Sequence, residues 1–257
     1  MTEHPATTPL NPPGDVDRGI RLPGLVNLRD IGGLPLANGG QTRPQRLYRS
    51  AAPGALDPAA TQWFETSGID TIVDLRTTYE RTNLPTTLGV RRPIQTIHLP
   101  LLEGSLQASL SGLPTLPDLY RGMLDDDAAV FAAVARDIAE DRGAVLVHCT
   151  AGKDRTGVTV ALLLLAVGVP QDAVVADYAE TTANLAGRWL QGTLAKVEAA
   201  GAVVTDALRT LIAEAPPEAL EAAIDHLDTR YGSAVEYLLR NGLSDAEVAA
   251  LQSSLSV

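Results

Sequence analysis

The chain has 257 residues, with one Cys, two Trp, two Phe and a formal net charge of −11. That length supports one α/β domain, or one domain with a helical subdomain, and so few aromatics require a core of Leu, Val, Ile and Ala. The acidic balance disfavours nonspecific binding to nucleic acid or anionic membrane. A lone Cys excludes an intramolecular disulfide and leaves no ligand set for a thiolate zinc site.

Met1 to Asp17 holds Pro, Thr, Asn and Gly with acidic residues, and has neither a basic n-region nor an apolar h-region. Residues 1–20 therefore read as a disordered tail rather than a signal peptide, and a cytoplasmic location is expected. Residues 21–257 read as a single domain. Asn27 to Gly33, NLRDIGG, is a polar segment ending in a Gly turn. Leu47 to Ala51, LYRSA, reads as a short strand running into a loop. Asp57-Pro58 starts a helix, with Asp as N-cap and Pro at the first helical position. Ile69 to Leu75 is β-branched and apolar and reads as a buried strand. Thr77 or Thr78 can cap a helical turn after it. Ile94 to Leu99 is another strand. Gly104 to Pro117 is rich in Gly, Ser, Leu and Pro without a period and reads as a loop or lid. A helix is predicted from about Asp127 to Asp141, then a strand over Ala144 to Val147.

The apolar run Val158 to Val169 is too short to span a bilayer and reads as a helix buried on all sides, so no stable membrane insertion is expected. From about residue 171 the chain is predicted helical. Leu220, Ala223, Ile224, Leu227 and Tyr231 follow helical spacing, with Pro216-Pro217 opening that helix. Ser233 with Glu236, and Ser244 with Glu247, fit capping boxes, and Gly242 between them fits a helix end. Strands alternating with helices predict an α/β fold, a mostly parallel central sheet flanked by helices, with a helical C-terminal region. Ligands in such sheets bind beyond the carboxyl ends of the strands. The segments at Asp74-Leu75-Arg76, His98 to Glu103 and Cys149 to Arg155 all follow strand ends.

The last of these, HCTAGKDRTG from His148 to Gly157, carries chemistry. A lone Cys is ordinarily a small buried hydrophobe, but the neighbours of Cys149 argue otherwise. Between a strand and a helix, the backbone N–H groups of Thr150, Ala151, Gly152, Lys153, Asp154 and Arg155 can turn inward on a tetrahedral anion, aided by the helix dipole. The same field, with Arg155 and Lys153, should hold Cys149 as a thiolate able to attack phosphorus. Arg155 offers a planar fork for two equatorial oxygens. Thr156 can donate to the sulfur as it leaves, and His148 can order the loop. Of twenty basic residues only Lys153 and Lys196 are lysine, so an ammonium four residues after Cys149 draws notice. No metal or cofactor is expected, since Arg155 and the backbone supply the positive charge.

The pattern His-Cys, five residues, Arg-Thr-Gly resembles the signature of the protein tyrosine and dual-specificity phosphatases. CTAGKDRTG, together with NLRDIGG, LYRSA and VDLR in that order, is similar to the PtpB-type subgroup of bacteria and fungi. The resemblance runs from about Leu25 to the C-terminus and implies the cysteine-phosphatase fold. It also implies hydrolysis of phosphotyrosine, with phosphoserine, phosphothreonine or phosphoinositides as further substrates and phosphorylated proteins or phosphoinositides as partners. Three carboxyls compete as general acid. Asp74 ranks first, at a strand end and matching the aspartate proposed for PtpB-type enzymes, against the alternative of an ion pair with Arg76 or Arg29. Asp154, inside the loop, ranks second and Glu103 third. Lys153 can either hold Asp154 or meet a second phosphate. Arg29 and Asp30 are expected to bridge to the wall of the site, and Tyr178 and Asn184 to face it. A rhodanese-type sulfurtransferase and an inactive phosphate-binding module are the competing classes; Arg155-Thr156-Gly157 argues against the first, and the intact Cys149 and Arg155 against the second.

Overall fold

The computed structural model describes residues 18–103 and 114–257. Its centre is a sheet of five strands. These are β1 (Arg29–Asp30), β2 (Leu47–Ala51), β3 (Ile69–Asp74), β4 (Gln95–His98) and β5 (Ala144–Cys149), in spatial order β1-β2-β5-β3-β4. Only β1 runs antiparallel, on the edge beside β2. The other pairings are parallel, as expected of strands buried under helices. Part of the polar NLRDIGG segment is thus itself an edge strand.

Register fixes which side chains share a face. Asp74 lies opposite both His98 and His148, and Ala51 lies opposite Cys149. Successive residues of a strand point to opposite faces. Val73, Val145, Val147 and Cys149 therefore face the larger core, while Ile72 and Leu146 face a smaller one built on Tyr48 and Phe64. Phe64 comes from α1 (Pro58–Thr66), whose N-cap Asp57 accepts from the Ala60 amide. The larger core is covered by α3 (Leu116–Asp126), α4 (Ala128–Ala139) and α5 (Asp154–Ala166) with the C-terminal helices. Helix α5 is buried on nearly every side, including Val158 through Leu164.

The predicted loop over Gly104 to Pro117 falls mostly on residues outside those described, but its end is a correction. Leu116–Asp126 is a helix, with Thr115 accepting from the Asp118 amide and Pro117 in the first turn. There Pro costs no hydrogen bond, because the first amides of a helix lack partners anyway. Helix α5 also begins four residues earlier than predicted, at Asp154, so the second half of the Cys149 loop is already its first turn.

The helical C-terminal region comprises α6 (Gln171–Leu185), α7 (Arg188–Ala199), α8 (Asp206–Ala213), α9 (Pro217–Tyr231), α10 (Ala234–Arg240) and α11 (Asp245–Leu255). Ser244 and Glu247 form the reciprocal capping box at α11. Ser233 supplies only the serine half at α10. Arg18, assigned from sequence to the tail, is held by Asp177 and Glu180.

Candidate active site

The chain leaves β5 at Cys149 and turns through residues 150–153 into α5. That turn demands glycine at one position. Gly152 has φ +66°, and a Cβ there would sit 2.2 Å from the Ser50 carbonyl oxygen. No other residue type tolerates both the left-handed backbone and that approach. A Cβ at Gly157 would meet the Tyr178 ring at 2.9 Å, so Gly157 lets α6 pack against the start of α5. Among the described residues no acceptor takes the amide N–H groups of Ala151 to Arg155. Consecutive unpaired amides at a helix N-terminus form a nest suited to an oxyanion.

The loop is held from behind. The Asn27 side-chain amide donates to the carbonyls of Ala151 (3.2 Å) and Gly152 (3.0 Å). Arg49 donates to the same Gly152 carbonyl at 2.9 Å. Asn27 is in turn fixed by Arg29, at 2.5 Å. Both arginines converge on buried Asp177, Arg29 Nε at 3.0 Å and Arg49 Nη1 at 2.7 Å, and Arg18 joins them at 2.8 Å. Burial opposes the charge on Asp177, but the Arg29, Arg49 and Arg18 guanidiniums hold its carboxyl far below the usual range. Burial and the neighbouring Arg29 push Arg49 down to about 10, so it keeps its charge at neutral pH. Cys149 is among the groups that favour the charge on Arg49 and Arg155. Asp30 serves its own turn, accepting from the Gly32 and Gln45 amides, and does not reach the site wall as expected.

Arg155 is gripped at both terminal nitrogens by Glu80, at 2.5 and 2.8 Å. Glu80 belongs to α2 (Thr78–Asn83), where it closes a capping box with Thr77. It also accepts the Thr150 hydroxyl. Burial would raise the Glu80 carboxyl, yet Arg155 brings it down to about 2. Against the same burial, Glu80 and Cys149 keep Arg155 above its ordinary value. A carboxyl depressed on folding stabilises the fold above its ordinary range near pH 4.3 and loses that contribution as pH falls. The stability gap between wild type and Glu80→Gln should therefore be full above about pH 5 and close towards pH 2. Denaturation midpoints across that range check this; a gap that is constant with pH would refute it.

The three candidate acids separate by geometry. Asp74 does not face the loop as expected. It shares a face with His148, opposite to that of Cys149, and is paired with Arg76 through Nε at 2.9 Å and Nη2 at 2.7 Å. Burial works against its charge, but the Arg76 bonds prevail and lower the carboxyl. The ion-pair alternative is the one observed. Glu103 is spent on the Thr78 amide at 2.9 Å. Asp154, the first residue of α5, keeps 23% of its side chain exposed and is bonded through Oδ1 to Lys153 Nζ and to the Tyr120 hydroxyl. Lys153 is fully buried, with its second bond on the Glu214 carbonyl at 3.0 Å. Of the two roles expected for Lys153, the contact seen here is the one that holds Asp154. Thr156 Oγ1 is buried with no hydrogen-bond partner. His148 Nδ1 lies 3.2 Å from the Cys149 carbonyl; that oxygen can only accept, so Nδ1 carries the proton. Tyr178 packs its ring on Gly157 and reaches Asp154 through Tyr120, while Asn184 reaches the loop through Asn27.

Residues 20–257 match the tyrosine phosphatase family. The chain belongs to the tyrosine phosphatase family. Its enzyme class is therefore protein tyrosine phosphatase, with phosphorylated substrates. A Cupriavidus necator chain named as a tyrosine-protein phosphatase is 35% identical, over 89% of this chain and 85% of that one. The triple specificity protein phosphatase PtpB of Mycobacterium tuberculosis is 30% identical, over 91% of this chain and 98% of that one, in keeping with the PtpB-type resemblance. Among solved structures, P. aeruginosa TpbA aligns with a TM-score of 0.35 at 22% identity, covering 66% of this chain and 88% of that one. No helix among the described residues is long and apolar enough to cross a membrane.

Sequence reasoning missed Glu80, Tyr120 and Asp177 in this phosphatase. Glu80 had a readable signal, since Thr77-x-x-Glu80 directly after the VDLR strand end is a capping-box pattern. Asp177 and Tyr120 had none: each lies mid-helix and meets the loop only in three dimensions.

Proposed function

We propose that this tyrosine phosphatase hydrolyses phosphomonoesters through a phosphocysteine on Cys149, with Arg155 as the oxyanion clamp and Asp154 as the acid. The observation that carries the reading is the loop itself. A cysteine ends a strand below unpaired amides, and the only arginine in the loop is pre-aimed by Glu80. The Cys149 thiolate attacks phosphorus and the ester P–O bond breaks. The leaving oxygen takes a proton from Asp154. Water then attacks the phosphocysteine, Asp154 accepts its proton, and the sulfur departs as thiolate while Thr156 donates its hydroxyl to it. Placing charge stabilisation in fixed amides and a fixed guanidinium avoids reorganisation in the transition state. Asp154 replaces Asp74 as first choice because Asp74 lies across the sheet and is locked to Arg76.

Phosphotyrosine is the leading substrate. Phosphoserine, phosphothreonine and phosphoinositides form a second reading, favoured by the name of the mycobacterial relative, a triple specificity protein phosphatase. A panel of phosphopeptides and phosphoinositides, assayed in EDTA and normalised to an aryl phosphate, tests both. The expected result is hydrolysis of the phosphotyrosine peptide, roughly tenfold or more above the phosphoserine peptide in kcat/KM. Failure to hydrolyse any phosphotyrosine peptide would overturn the primary reading. Rates within a few-fold across the panel would instead favour the second.

A further inference from the structure

We propose that Tyr120, backed by Tyr178, is a positioning residue that fixes which oxygen of Asp154 transfers the proton. This inference rests on reading Asp154 as the acid. Tyr120 comes from α3, distant in sequence from the loop, and its hydroxyl donates to Asp154 Oδ1 at 2.7 Å. Lys153 Nζ donates to that same oxygen at 2.7 Å. One carboxylate oxygen has two lone pairs in the carboxyl plane, and here both are engaged. A proton on Asp154 therefore resides on Oδ2, and Oδ2 is the oxygen that can give it to a leaving group or take it from water.

The chain of donors has one direction. The Tyr120 proton is committed to the carboxylate, so in the 2.7 Å contact between the two phenols Tyr178 must donate and Tyr120 accept. The rings meet edge to face at 88°, and both side chains are buried. Burial and the nearby Asp154 charge hold the Tyr120 phenol well above its ordinary value, so it remains a donor throughout the working pH range. Lys153 is pinned by the Glu214 carbonyl at 3.0 Å. Helix α3, helix α6 and the end of α8 thus converge on one carboxylate oxygen.

The test uses Tyr120→Phe, Tyr178→Phe, Asp154→Asn and the double variant Tyr120→Phe/Asp154→Asn. Each is assayed on phenyl phosphate, whose leaving group needs the proton, and on p-nitrophenyl phosphate, whose leaving group needs it far less. Tyr120→Phe should lower kcat/KM on phenyl phosphate roughly tenfold and scarcely change kcat/KM on p-nitrophenyl phosphate, because that ratio reports only the steps up to departure of the leaving group and not the later attack of water. Tyr178→Phe should show the same pattern at smaller size. In the Asp154→Asn background the Tyr120 substitution should have no further effect, because the group it positions is gone. Equal losses of kcat/KM on both substrates, or a loss that persists undiminished in the Asp154→Asn background, would overturn the proposal. Asp154→Asn with wild-type kcat on phenyl phosphate would overturn the underlying acid assignment, and this inference with it. Should Tyr120→Phe melt below the assay temperature, Tyr178→Phe carries the same comparison.

Discussion

Replacing Cys149 with Ser should lower kcat for an aryl phosphate by about four orders of magnitude or more, with the fold unchanged. A serine hydroxyl at this position lacks an adjacent base to activate it. His148, the nearest candidate, lies on the other face of β5 with its Nδ1 proton on the Cys149 carbonyl. The amides of residues 151–155 and the Glu80–Arg155 pair are untouched by the change. The variant should therefore still bind phosphate-bearing ligands, and binding should survive while turnover is lost. Arg155→Lys tests the complementary half. A lysine cannot span both Glu80 oxygens and an equatorial pair on phosphorus, so kcat should fall by roughly 100- to 1,000-fold. Turnover assays in EDTA with binding measured in parallel separate these outcomes. Undiminished turnover by Cys149→Ser would remove the phosphocysteine mechanism.

The parts of this protein legible in its sequence are those whose signal is contiguous. Strand β5 opens on the apolar run Ala144 to Val147, as a strand buried on both faces does, β3 carries the β-branched pair Ile72-Val73, and the Cys149 loop carries the phosphatase signature within ten residues. Helix α3 was hidden because Pro117 follows a Gly- and Ser-rich stretch and reads as a breaker, although a first-turn proline is compatible with a helix. The parity of β3 was visible, since Ile72 and Asp74 alternate with Val73 and Leu75. Which of those faces Cys149 occupies depends on the register between β3 and β5, and one strand's pattern does not contain it. For the same reason the supports of the loop escaped. Glu80 is 75 residues from Arg155, Asn27 is 125 from Gly152, and Asp177 is 128 from Arg49.

That last distance marks the second large effect. Asp177→Asn should destabilise the fold by about 3–5 kcal/mol, because removing one member of a buried ion cluster leaves its partners uncompensated. Here the partners are Arg29 and Arg49, both buried, with Arg18 at the edge. Glu180, 3.7 Å from Arg29 and half-exposed, cannot replace a buried carboxylate. Against a total stability of about 5–15 kcal/mol, such a loss is a large fraction. Asp177 is depressed in the fold, so its contribution is complete above the ordinary carboxylate range and fades as pH falls below about 4. The wild-type advantage over Asp177→Asn should shrink accordingly in acid. Activity should fall with stability even where the variant remains folded, because Arg49 and the Arg29–Asn27 pair lose their anchor and with it their hold on the Ala151 and Gly152 carbonyls. Urea midpoints at neutral and acid pH, with kcat measured well below the transition, test both claims. A loss under about 1 kcal/mol at neutral pH would show that the three arginines are adequately solvated without Asp177, and the cluster would then be an orienting device for the loop rather than a keystone of the fold.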